Sequence, residues 1–510
     1  MNKEESLQAF DNLLERRGWK EREYQRESVE KIVDWFEEGK KCLLYCAPTG
    51  AGKTIVNWSV AESGLGAYYV TGNLSLQDQI IQDRFPDVCD IRGRRNYECG
   101  VSYGSKCDEG MCQTKKKFKC KKMCEYKAAK LAAQGSKICL SNMFYFILEG
   151  GRTFGKRELL IIDEGHNLPE ILVQFGSVRL SPTSVGKQLY HEIEEYEDEE
   201  ILSQALVVIG DDVEDFDFEE ELSKEDLKEV KKLEGVLRRL ETCDRAGEYV
   251  VGRGRGFVTI QPLKSVGIAK KLIFDRADKV LISSATINPI LMRDELDLVG
   301  MLGKGNTMFY PVESTFSSER RPIYLRPVCN FKYENQKDLM NVIKITDAIK
   351  EIVDNHEGQK GIIFTQGYRY VEMITDMMLQ YPELDKRFVF HDKENRKEIL
   401  SKWMSRFDDK VLVGVKMEEG LDLKFDMCRF AIIFKAPFMD SSRDMRVKKR
   451  LELKHWSWYM MNAQQILCQM CGRIVRSEDD FGEVYVLDEG ACRLFKRAGT
   501  PGWIKEALVE

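Results

Sequence analysis

The sequence predicts an α/β protein with two parallel-sheet domains, the first of which carries two insertions. Short apolar runs typical of buried strands alternate with helical patterns in two regions, one before and one after residue 309. A cysteine-rich segment and an acidic segment interrupt this alternation in the first region. The alternation indicates parallel sheets, because parallel neighbours need a long crossover that is usually a helix.

Composition and charge are those of an ordinary soluble chain. Of the 510 residues, 43% are hydrophobic and 32% are charged, and no apolar run is long enough to span a bilayer. The first residues are polar and lack the apolar core of a signal peptide, so we expect a cytoplasmic protein. The net charge of −6 excludes a globally basic chain, although local basic patches can still bind nucleic acid.

The first 40 residues have the apolar spacing of helices, and Arg22 and Gln25 lie between two such stretches. A glutamine placed shortly before a phosphate-binding loop can read the edge of an adenine base with its amide. A solvent-exposed glutamine without a ligand is the alternative interpretation.

Residues 47–54 have the pattern of a phosphate-binding loop. They follow the strand-like run 42–46 and precede a helix-like stretch, the context that such a loop requires. Gly50 and Gly52 let backbone N–H groups face an anion, Lys53 would reach the β- and γ-phosphates, and Thr54 would ligate Mg²⁺. A chance glycine turn is the alternative. The nucleotide-binding residues predicted here are Pro48, Thr49, Gly50, Ala51, Gly52, Lys53 and Thr54.

Two carboxylates end the apolar run 159–162. A second strand is expected at 67–71, followed by a helix over 74–85. Asp163 and Glu164 then come at the carboxyl end of a strand, where ligands bind in open α/β sheets. We expect Asp163 to hold Mg²⁺ and Glu164 to polarise the attacking water. An acidic pair in a turn is the alternative.

Five cysteines lie within 26 positions, between the loop and this acidic pair. The segment is basic and has too few large apolar residues to form its own core, so a metal would supply the missing folding energy. Four thiolates suffice for an iron–sulfur cluster or for zinc, and the absence of a paired Cys-x-x-Cys favours iron–sulfur. Free thiols in a basic loop are the alternative. The candidate ligands are Cys99, Cys107, Cys112, Cys120 and Cys124.

Residues 184–248 combine acidic runs with leucines and valines at helical spacing, which predicts a helical insertion with solvated faces. The stretch 280–287 predicts a buried strand that ends in small hydroxyl residues. These residues could connect the nucleotide site to a moving partner, and an ordinary strand end is the alternative. Prolines within 305–325 predict a linker.

A second α/β pattern follows the linker, with strands expected at 361–365, 411–415 and 430–434. Helices are expected near 346–353 and 370–379. No second phosphate-binding loop occurs. Residues 418–422 and 469–476 carry the remaining polar motifs. Arg473 and Arg476, three residues apart, are predicted to lie on one helical face as arginine fingers, with exposed surface arginines as the alternative.

The order of these motifs resembles the superfamily two helicases, and among them the XPD/DinG family of iron–sulfur DNA helicases. The matching pieces are Arg22 with Gln25 and the stretches 47–54, 163–166, 283–286, 419–422 and 469–476. The cysteine-rich segment and the helical insertion lie where this family has its cluster and arch domains. The acidic box has Gly165 where the family usually has alanine, which changes no reacting group.

The resemblance implies two RecA-like domains with ATP between them. The first contributes Lys53, Thr54, Asp163 and Glu164. The second contributes Gly420, Asp422, Gln469, Arg473 and Arg476. The implied segments are 1–90, 135–183 and 249–308 for the first motor domain, 91–134 for the cluster domain, 184–248 for an arch-like insertion and 309–510 for the second motor domain.

The resemblance also implies ATP, Mg²⁺ and a [4Fe–4S] cluster as cofactors. Cys99 and Cys124 match the ends of the family's ligand pattern, and the two middle ligands come from Cys107, Cys112 and Cys120. The expected activity is ATP-driven, five-prime to three-prime unwinding by a monomer that acts on single-stranded and forked DNA, as in DNA repair, without a membrane. Two alternatives are an ATPase that remodels protein–nucleic-acid complexes without processive unwinding, and a zinc-stabilised nucleic-acid-binding module.

Overall fold

Two seven-stranded sheets, each with all its strands parallel, dominate the computed structural model. The structure describes every residue except 84, 86–87, 103, 115–119, 121–123, 151–153, 218–223, 332–337, 383–385, 407, 416, 418–420 and 422. These sheets confirm the predicted fold class of two RecA-like α/β domains. Within the described residues, none of the helices has both the length and the apolar character needed to cross a bilayer.

The first sheet is built from five largely buried strands and two less buried edge strands, Val88–Asp90 and Thr307–Pro311, numbered here along the chain. They are β1 (Cys42–Cys46), β2 (Ala67–Thr71), β3 (Val88–Asp90), β4 (Ile138–Asn142), β5 (Arg157–Asp163), β9 (Ala277–Ser284) and β10 (Thr307–Pro311). Their order across the sheet is β10-β1-β9-β5-β2-β4-β3. This order sets β9 between β1 and β5, so the ends of the phosphate-loop strand and of the acidic strand lie two strands apart.

Helices cover both faces of this sheet and begin and end at residues that cap them. The first helix begins after Asn2, whose side chain accepts a hydrogen bond from the Glu4 N–H, and ends at Gly18 with a left-handed φ of 62°. The main helices are Lys3–Arg17, Gln25–Glu37, Lys53–Glu62, Leu74–Gln82, Glu125–Gly135, Leu168–Gly176, Val266–Leu272, Pro289–Glu295 and Leu298–Leu302.

The second sheet forms in the same way from the later part of the chain. Its strands are β11 (Ile323–Cys329), β12 (Gly361–Thr365), β13 (Phe388–Phe390), β14 (Val411–Val415), β15 (Phe430–Ile433), β16 (Glu483–Asp488) and β17 (Leu508–Val509), in the order β13-β14-β12-β15-β16-β11-β17. Its helices are Leu339–Asn355, Tyr368–Met378, Arg396–Ser405, Met445–Glu452, Trp456–Cys471, Glu489–Phe495 and Gly502–Lys505.

A third, smaller unit contains the predicted helical insertion. Its helices are Pro182–Val185, Lys187–Glu194, Ile201–Asp217 and Lys224–Asp244. They pack against an antiparallel sheet that the sequence analysis did not predict, formed by β6 (Val178–Leu180), β7 (Tyr249–Gly254) and β8 (Phe257–Pro262). Helices and sheet share one apolar core, so the packed unit extends beyond residues 184–248 on both sides.

The described residues of the cysteine-rich segment have little regular structure. They include a bridge between Glu98 and Lys106 and the short helix Met111–Thr114. The linker prediction for 305–325 was wrong in part, because β10 lies inside it and pairs with β1. Pro311 is tolerated there because β10 is an edge strand, where a missing N–H breaks no ladder.

Candidate nucleotide site

The loop between β1 and the helix Lys53–Glu62 has the backbone of a phosphate-binding turn. Gly50 and Gly52 have φ angles of 82° and 78°, which side-chain-bearing residues rarely adopt. A Cβ at Gly50 would lie 2.4 Å from the ring of Phe316, and a Cβ at Gly52 would lie 2.1 Å from Nε2 of Gln25. Both positions therefore require glycine for conformation and for space.

Arg22 and Gln25 lie beside the loop and hold its backbone. Gln25 is 2% exposed, and its Nε2 donates a hydrogen bond to the Ala51 carbonyl at 3.1 Å. The Arg22 N–H donates to Oε1 of Gln25 at 2.8 Å, and the Arg22 guanidinium donates to the Gly50 carbonyl. The structure thus brings both predicted residues to the loop, where they support its shape.

Lys53 begins the helix that follows the loop. Its Nζ donates hydrogen bonds to the carbonyls of Ala47 and Pro48, at 3.1 and 3.3 Å. The ammonium group therefore lies over the loop that a phosphate would occupy, and a phosphate would offer it charged oxygens, which make stronger hydrogen bonds than neutral carbonyls. Thr54 is the next residue of the helix and is half-buried.

Asp163 ends β5 and is almost fully buried. The Tyr69 hydroxyl donates to its Oδ2 at 3.1 Å, and the Glu164 N–H donates to its Oδ1 at 3.0 Å. Burial, together with the charge of Glu164, raises the pKa of Asp163 to about 6. A nearby cation favours the ionised form, and Lys53 already acts in that direction. Asp163 therefore has the position and the electrostatics of a carboxylate that a metal ion would stabilise.

Glu164 adopts a left-handed φ of 53°, which turns its side chain away from the strand direction. Its Oε2 accepts a hydrogen bond from the Ser284 hydroxyl at 3.2 Å and lies 3.2 Å from Nδ1 of His166. Burial alone would raise the pKa of Glu164, but the His166 hydrogen bond and the charges of Lys53 and Arg473 outweigh burial and lower the pKa. Glu164 is therefore ionised near neutral pH and able to accept a proton.

Ser284 and its neighbours connect the acidic pair to the second sheet's domain. Oγ of Ser284 lies 2.7 Å from Nδ1 of His166, whose carbonyl accepts a hydrogen bond from Nε2 of Gln465 at 3.3 Å. The Trp503 indole N–H donates to the Ala285 carbonyl at 3.4 Å. The sequence analysis missed Gln465 and Trp503. One available signal was that Gln465 precedes Gln469 by one helical turn.

The prediction that Arg473 and Arg476 share a helical face was wrong. The helix Trp456–Cys471 ends at Gly472, and both arginines lie in the loop that follows. Each guanidinium nevertheless donates to the Leu421 carbonyl, Arg473 at 3.3 Å and Arg476 at 3.0 Å. Arg473 lies close enough to lower the pKa of Glu164, and the Arg476 carbonyl would be 2.8 Å from a Cβ at Gly50. The loop therefore carries the arginines to the nucleotide site.

Gln469 lies on the last turn of the same helix and is buried. Among the residues that the structure describes, its Nε2 has no hydrogen-bond partner. A buried amide donor of this kind is costly unless a ligand or water satisfies it. The predicted residues Gly420 and Asp422, with the rest of the motif at 418–420, lie outside the described residues.

The cysteine-rich segment brings part of the predicted ligand set together. Sγ of Cys107 lies 3.7 Å from Sγ of Cys124, and Cys99 and Cys120 pack at the edge of the same core. Hydrogen bonds from the backbone N–H groups of Ser102 and Val101 lower the pKa of Cys99. Burial and the neighbouring Cys124 raise the pKa of Cys107 to about 12.

Among the described residues, Cys112 is not part of the apolar core that the other four cysteines share. It is on the short helix Met111–Thr114, and its charge acts on Lys231 of the inserted unit, whose Nζ donates to the Gln113 carbonyl. In the part of the chain that the structure describes, no three His, Cys, Asp or Glu side chains are arranged to hold a metal ion. The described part of the segment therefore gathers four of the five predicted thiols at one core.

Two family models match the two halves of the chain. Residues 19–203 match the res subunit of type III restriction enzymes, and residues 349–505 match a helicase C-terminal domain. The first range contains the phosphate-binding loop and the acidic pair, and the second contains Gln469 and both arginines.

Curated relatives match over parts of their length. The chain is 25% identical over 271 residues to the general transcription and DNA repair factor IIH helicase subunit XPD/RAD3 of Saccharomyces cerevisiae, covering 48% of this chain and 33% of that protein. It is 24% identical over 165 residues to the 3'-5' exonuclease DinG of Staphylococcus aureus (strain MSSA476), covering 32% of this chain and 18% of that protein. The matches thus span a third or less of these relatives.

Solved structures match almost end to end. An XPD helicase superposes with a TM-score of 0.62 at 17% identity, covering 96% of this chain and 98% of the other. Xpd4 of S. tokodaii superposes with a TM-score of 0.60 at 15% identity, covering 96% and 100%. At these identities the comparison establishes the shared fold, with its two RecA-like domains.

Proposed function

We propose that this chain, an XPD/DinG-like helicase of superfamily two by its fold and sequence matches, uses ATP hydrolysis to move along single-stranded DNA and unwind duplexes. The observation that carries the proposal is the meeting of Lys53, Asp163 and Glu164 with Arg473 and Arg476. Each of these groups has a place in ATP hydrolysis, and the arginines come from the other domain.

In the proposed reaction the first domain binds ATP and activates water. The loop N–H groups and Lys53 hold the phosphates, while Thr54 and Asp163 would hold Mg²⁺, which neutralises developing charge. Glu164, kept ionised by its neighbours, takes a proton from the attacking water. Ser284 and His166 orient the Glu164 carboxylate through the contacts described above.

The second domain completes the site and senses its state. Arg473 and Arg476 would leave the Leu421 carbonyl for the phosphate, because charge-assisted hydrogen bonds are roughly twice as strong as neutral ones. The Gln469 amide donor would gain a partner in the same step. We assign Gly420 and Asp422 to nucleotide binding by resemblance, together with the five-prime to three-prime direction and the preference for single-stranded and forked DNA.

The proposal includes a [4Fe–4S] cluster in residues 91–134 and an arch-like insertion at 184–248. Cys99, Cys107, Cys120 and Cys124 would hold the cluster, since all four pack at one core, whereas Cys112 lies on the short helix Met111–Thr114, whose Gln113 carbonyl accepts a hydrogen bond from Lys231 of the inserted unit. The cluster would supply folding energy to a segment that has few large apolar residues of its own. Iron and acid-labile sulfide analysis of anaerobically purified protein tests this part.

Strand displacement on tailed forks tests the main proposal. The protein should separate forks that carry a five-prime tail when ATP is present, and should fail with a non-hydrolysable ATP analogue. Equal activity on forks with only a three-prime tail would contradict the direction. DNA-stimulated ATP turnover without any strand separation would instead indicate an ATPase that remodels protein–nucleic-acid complexes.

A further inference from the structure

The helix Met445–Glu452 of the second domain carries two arginines that are buried in the first domain. Arg446 and Arg450 are 3% and 0% exposed, and their four-residue spacing places them on one face. They meet Glu295, 1% exposed, at the end of the helix Pro289–Glu295. We call Arg446, Arg450, Glu295 and Glu170 the buried arginine cluster.

The cluster is densely bonded across the domain boundary. Arg450 Nη1 lies 2.6 Å from Glu295 Oε1, and Arg446 Nη2 donates to Glu295 Oε2 at 3.2 Å. Arg446 also pairs with Glu170 at 2.6 Å. The Leu263 carbonyl accepts hydrogen bonds from Arg446 Nε at 3.1 Å and from Arg450 Nε and Nη2 at 3.0 and 2.6 Å. Leu263 directly follows β8, so the inserted unit also meets the cluster.

A helix connects this cluster to the nucleotide site. Trp458 lies near the start of the helix Trp456–Cys471, with its ring 4.2 Å from the Arg450 guanidinium and packed with Leu291 and Val447. The helix has 16 residues, hence a length of about 24 Å. Gln465, Gln469 and the loop with Arg473 and Arg476 lie toward its other end. The helix Trp456–Cys471 therefore has the buried arginine cluster beside its first turn and the loop with Arg473 and Arg476 after its last turn.

The two ends of this helix contact the first domain very differently. At the nucleotide end, two hydrogen bonds to the first domain are long: Gln465 Nε2 donates to the His166 carbonyl at 3.3 Å, and Trp503, on the nearby helix Gly502–Lys505, donates to the Ala285 carbonyl at 3.4 Å. At the cluster end, the buried Arg446 and Arg450 share the buried carboxylate of Glu295, and the exposed Glu170 supplies Arg446 with a second carboxylate. Separating buried ion pairs leaves uncompensated charge and is strongly unfavourable, whereas a single hydrogen bond exchanges readily with water.

We infer that the buried arginine cluster is the pivot about which the two domains open and close, with Arg446, Arg450 and Glu295 as positioning residues for Arg473 and Arg476. The inference rests on the proposed function, because it assumes ATP-driven motion of the cleft. The cluster stays closed through the cycle, while the nucleotide end of the helix separates from His166 and Ala285 and returns. Loss of the pivot lets the second domain shift, so the arginines no longer meet the phosphate.

Amide hydrogen exchange of the full chain, measured by mass spectrometry, tests the pivot directly. Adding single-stranded DNA and a non-hydrolysable ATP analogue should change protection around His166 and at 470–476. It should leave protection of Pro289–Glu295 and Met445–Glu452 unchanged. Equal changes at both ends of the long helix would overturn the pivot.

Substitution tests the positioning role. Glu295→Gln should lower kcat for DNA-stimulated ATP hydrolysis about tenfold or more while KM for ATP changes less than about threefold, because an interaction that positions the arginines acts mainly on the transition state. Asp294→Asn is the matched control, since Asp294 is the neighbouring exposed carboxylate, which lies 3.7 Å from Lys264 and acts on Arg450 less strongly than Glu295 does. Exchange at Met445–Glu452 should quicken in Glu295→Gln and stay unchanged in Asp294→Asn.

If Glu295→Gln does not fold, the same kcat and exchange measurements are made on the triple variant E295M/R446M/R450M. This variant removes all three buried charges together, so it approximately preserves side-chain volume and leaves no buried charge unpaired. A folded variant with unchanged kcat and unchanged exchange would overturn the inference. Absence of ATP turnover in the wild-type protein would instead contradict the proposed function. In that case, the comparison of hydrogen exchange between Glu295→Gln and Asp294→Asn would still test whether the cluster holds the two domains together.

Discussion

The nucleotide site and the cysteine-rich segment differ in what holds their reactive groups in place. In the nucleotide site, Asp163 is fixed by the Tyr69 hydroxyl and Glu164 by Ser284 and His166. In the cysteine-rich segment, Cys107 and Cys124 approach to 3.7 Å, but the described residues include no three-ligand metal site. Hydrogen bonds between packed elements hold the acidic pair of the nucleotide site, whereas the described cysteines are held by their packing at an apolar core.

The difference follows from where each group sits. Asp163 and Ser284 end neighbouring strands of a packed parallel sheet, so hydrogen bonding between β5 and β9 sets their positions. The cysteines sit in a loop region whose described part has one short helix and one bridge. A sheet edge can hold a site open for its ligand, whereas a loop without its own core depends on the ligand for its order.

The largest expected effect is loss of ATP turnover when a group of the nucleotide site is removed. Glu164→Gln keeps the shape of the side chain and removes its basicity, so kcat should fall on the order of 10²–10⁴-fold with ATP binding retained. Lys53→Ala should weaken ATP binding as well. Phosphate release with single-stranded DNA measures both.

The melting temperatures of Glu164→Gln and Lys53→Ala test whether the sheet holds the nucleotide site without these side chains. Because the sheet holds the site, neither substitution should lower the melting temperature by more than a few degrees. Lys41→Ala, an exposed lysine just before β1, is the control and should leave turnover unchanged. Normal turnover in both site variants would contradict the site assignment.

The arginines should have the next largest effect. Arg473→Ala or Arg476→Ala should lower kcat by about 10³-fold, with a much smaller change in ATP affinity, because the guanidinium groups act on charge that develops in the transition state. Arg493→Ala is the control, since Arg493 is exposed and pairs with Glu489 on its own helix. If ATP affinity collapsed while bound ATP turned over normally, both arginines would be binding groups.

How much of the fold could be predicted from the sequence depends on the kind of element. The buried strands at 42–46, 67–71, 361–365 and 411–415 match β1, β2, β12 and β14 residue for residue, because continuous apolar runs with turn signals leave little choice. The helical face predicted for Arg473 and Arg476 failed because Gly472 ends the helix. Strand β6 was missed because it pairs with β8 about 80 residues later, a contact that local pattern cannot show. Strands β7 and β8 form a local hairpin, which the sequence analysis overlooked.

The residues of the nucleotide site follow the same distinction between local pattern and distant contact. The loop, the acidic pair and the arginines are contiguous motifs, and the structure brings them together. Gln465, Trp503 and Phe316 act through contacts between distant parts of the chain, and a single glutamine or aromatic residue carries no local signal for such a contact.

The cysteines should show a moderate effect on turnover and a large one on metal content. Cys99→Ser and Cys124→Ser should lose most of the roughly four irons of a [4Fe–4S] cluster, because serine is a poor ligand. ATP turnover should stay within about threefold of wild type, since the sheet edge does not depend on the cluster. Iron analysis, visible absorbance and phosphate release on the same preparations make this comparison.

Cys112→Ser is the matched control for the cysteine variants. It lies in the same segment, on the helix whose Gln113 carbonyl binds Lys231, and outside the described core that the other four cysteines share, so the iron content should remain at the wild-type level. Loss of iron in Cys112→Ser with retention in Cys120→Ser would reverse the proposed ligand set. Zinc in place of iron in the wild-type protein would reject the cluster.

The last prediction concerns a single hydrogen bond, the contact between Gln465 and His166. Gln465→Leu keeps the volume of a buried side chain and removes one hydrogen bond of 3.3 Å between the domains. A hydrogen bond of this kind contributes about 1 kcal/mol, so kcat should fall about fivefold if the contact forms in the closed state and couples His166 to the second domain. KM for ATP should change little, because no atom of Gln465 is expected to touch the nucleotide.

The adjacent residue supplies the control that separates coupling from packing. Gln464 is equally buried, but its Nε2 donates to the Leu494 carbonyl at 3.1 Å and to the Thr500 hydroxyl at 2.7 Å, both within the second domain. Gln464→Leu should therefore lower the melting temperature, and its effect on kcat should be smaller than that of Gln465→Leu. Equal losses of kcat in the two variants would mean that the helix Trp456–Cys471 responds to any buried change, and the contact with His166 would then have no separate role in joining the nucleotide site to the second domain.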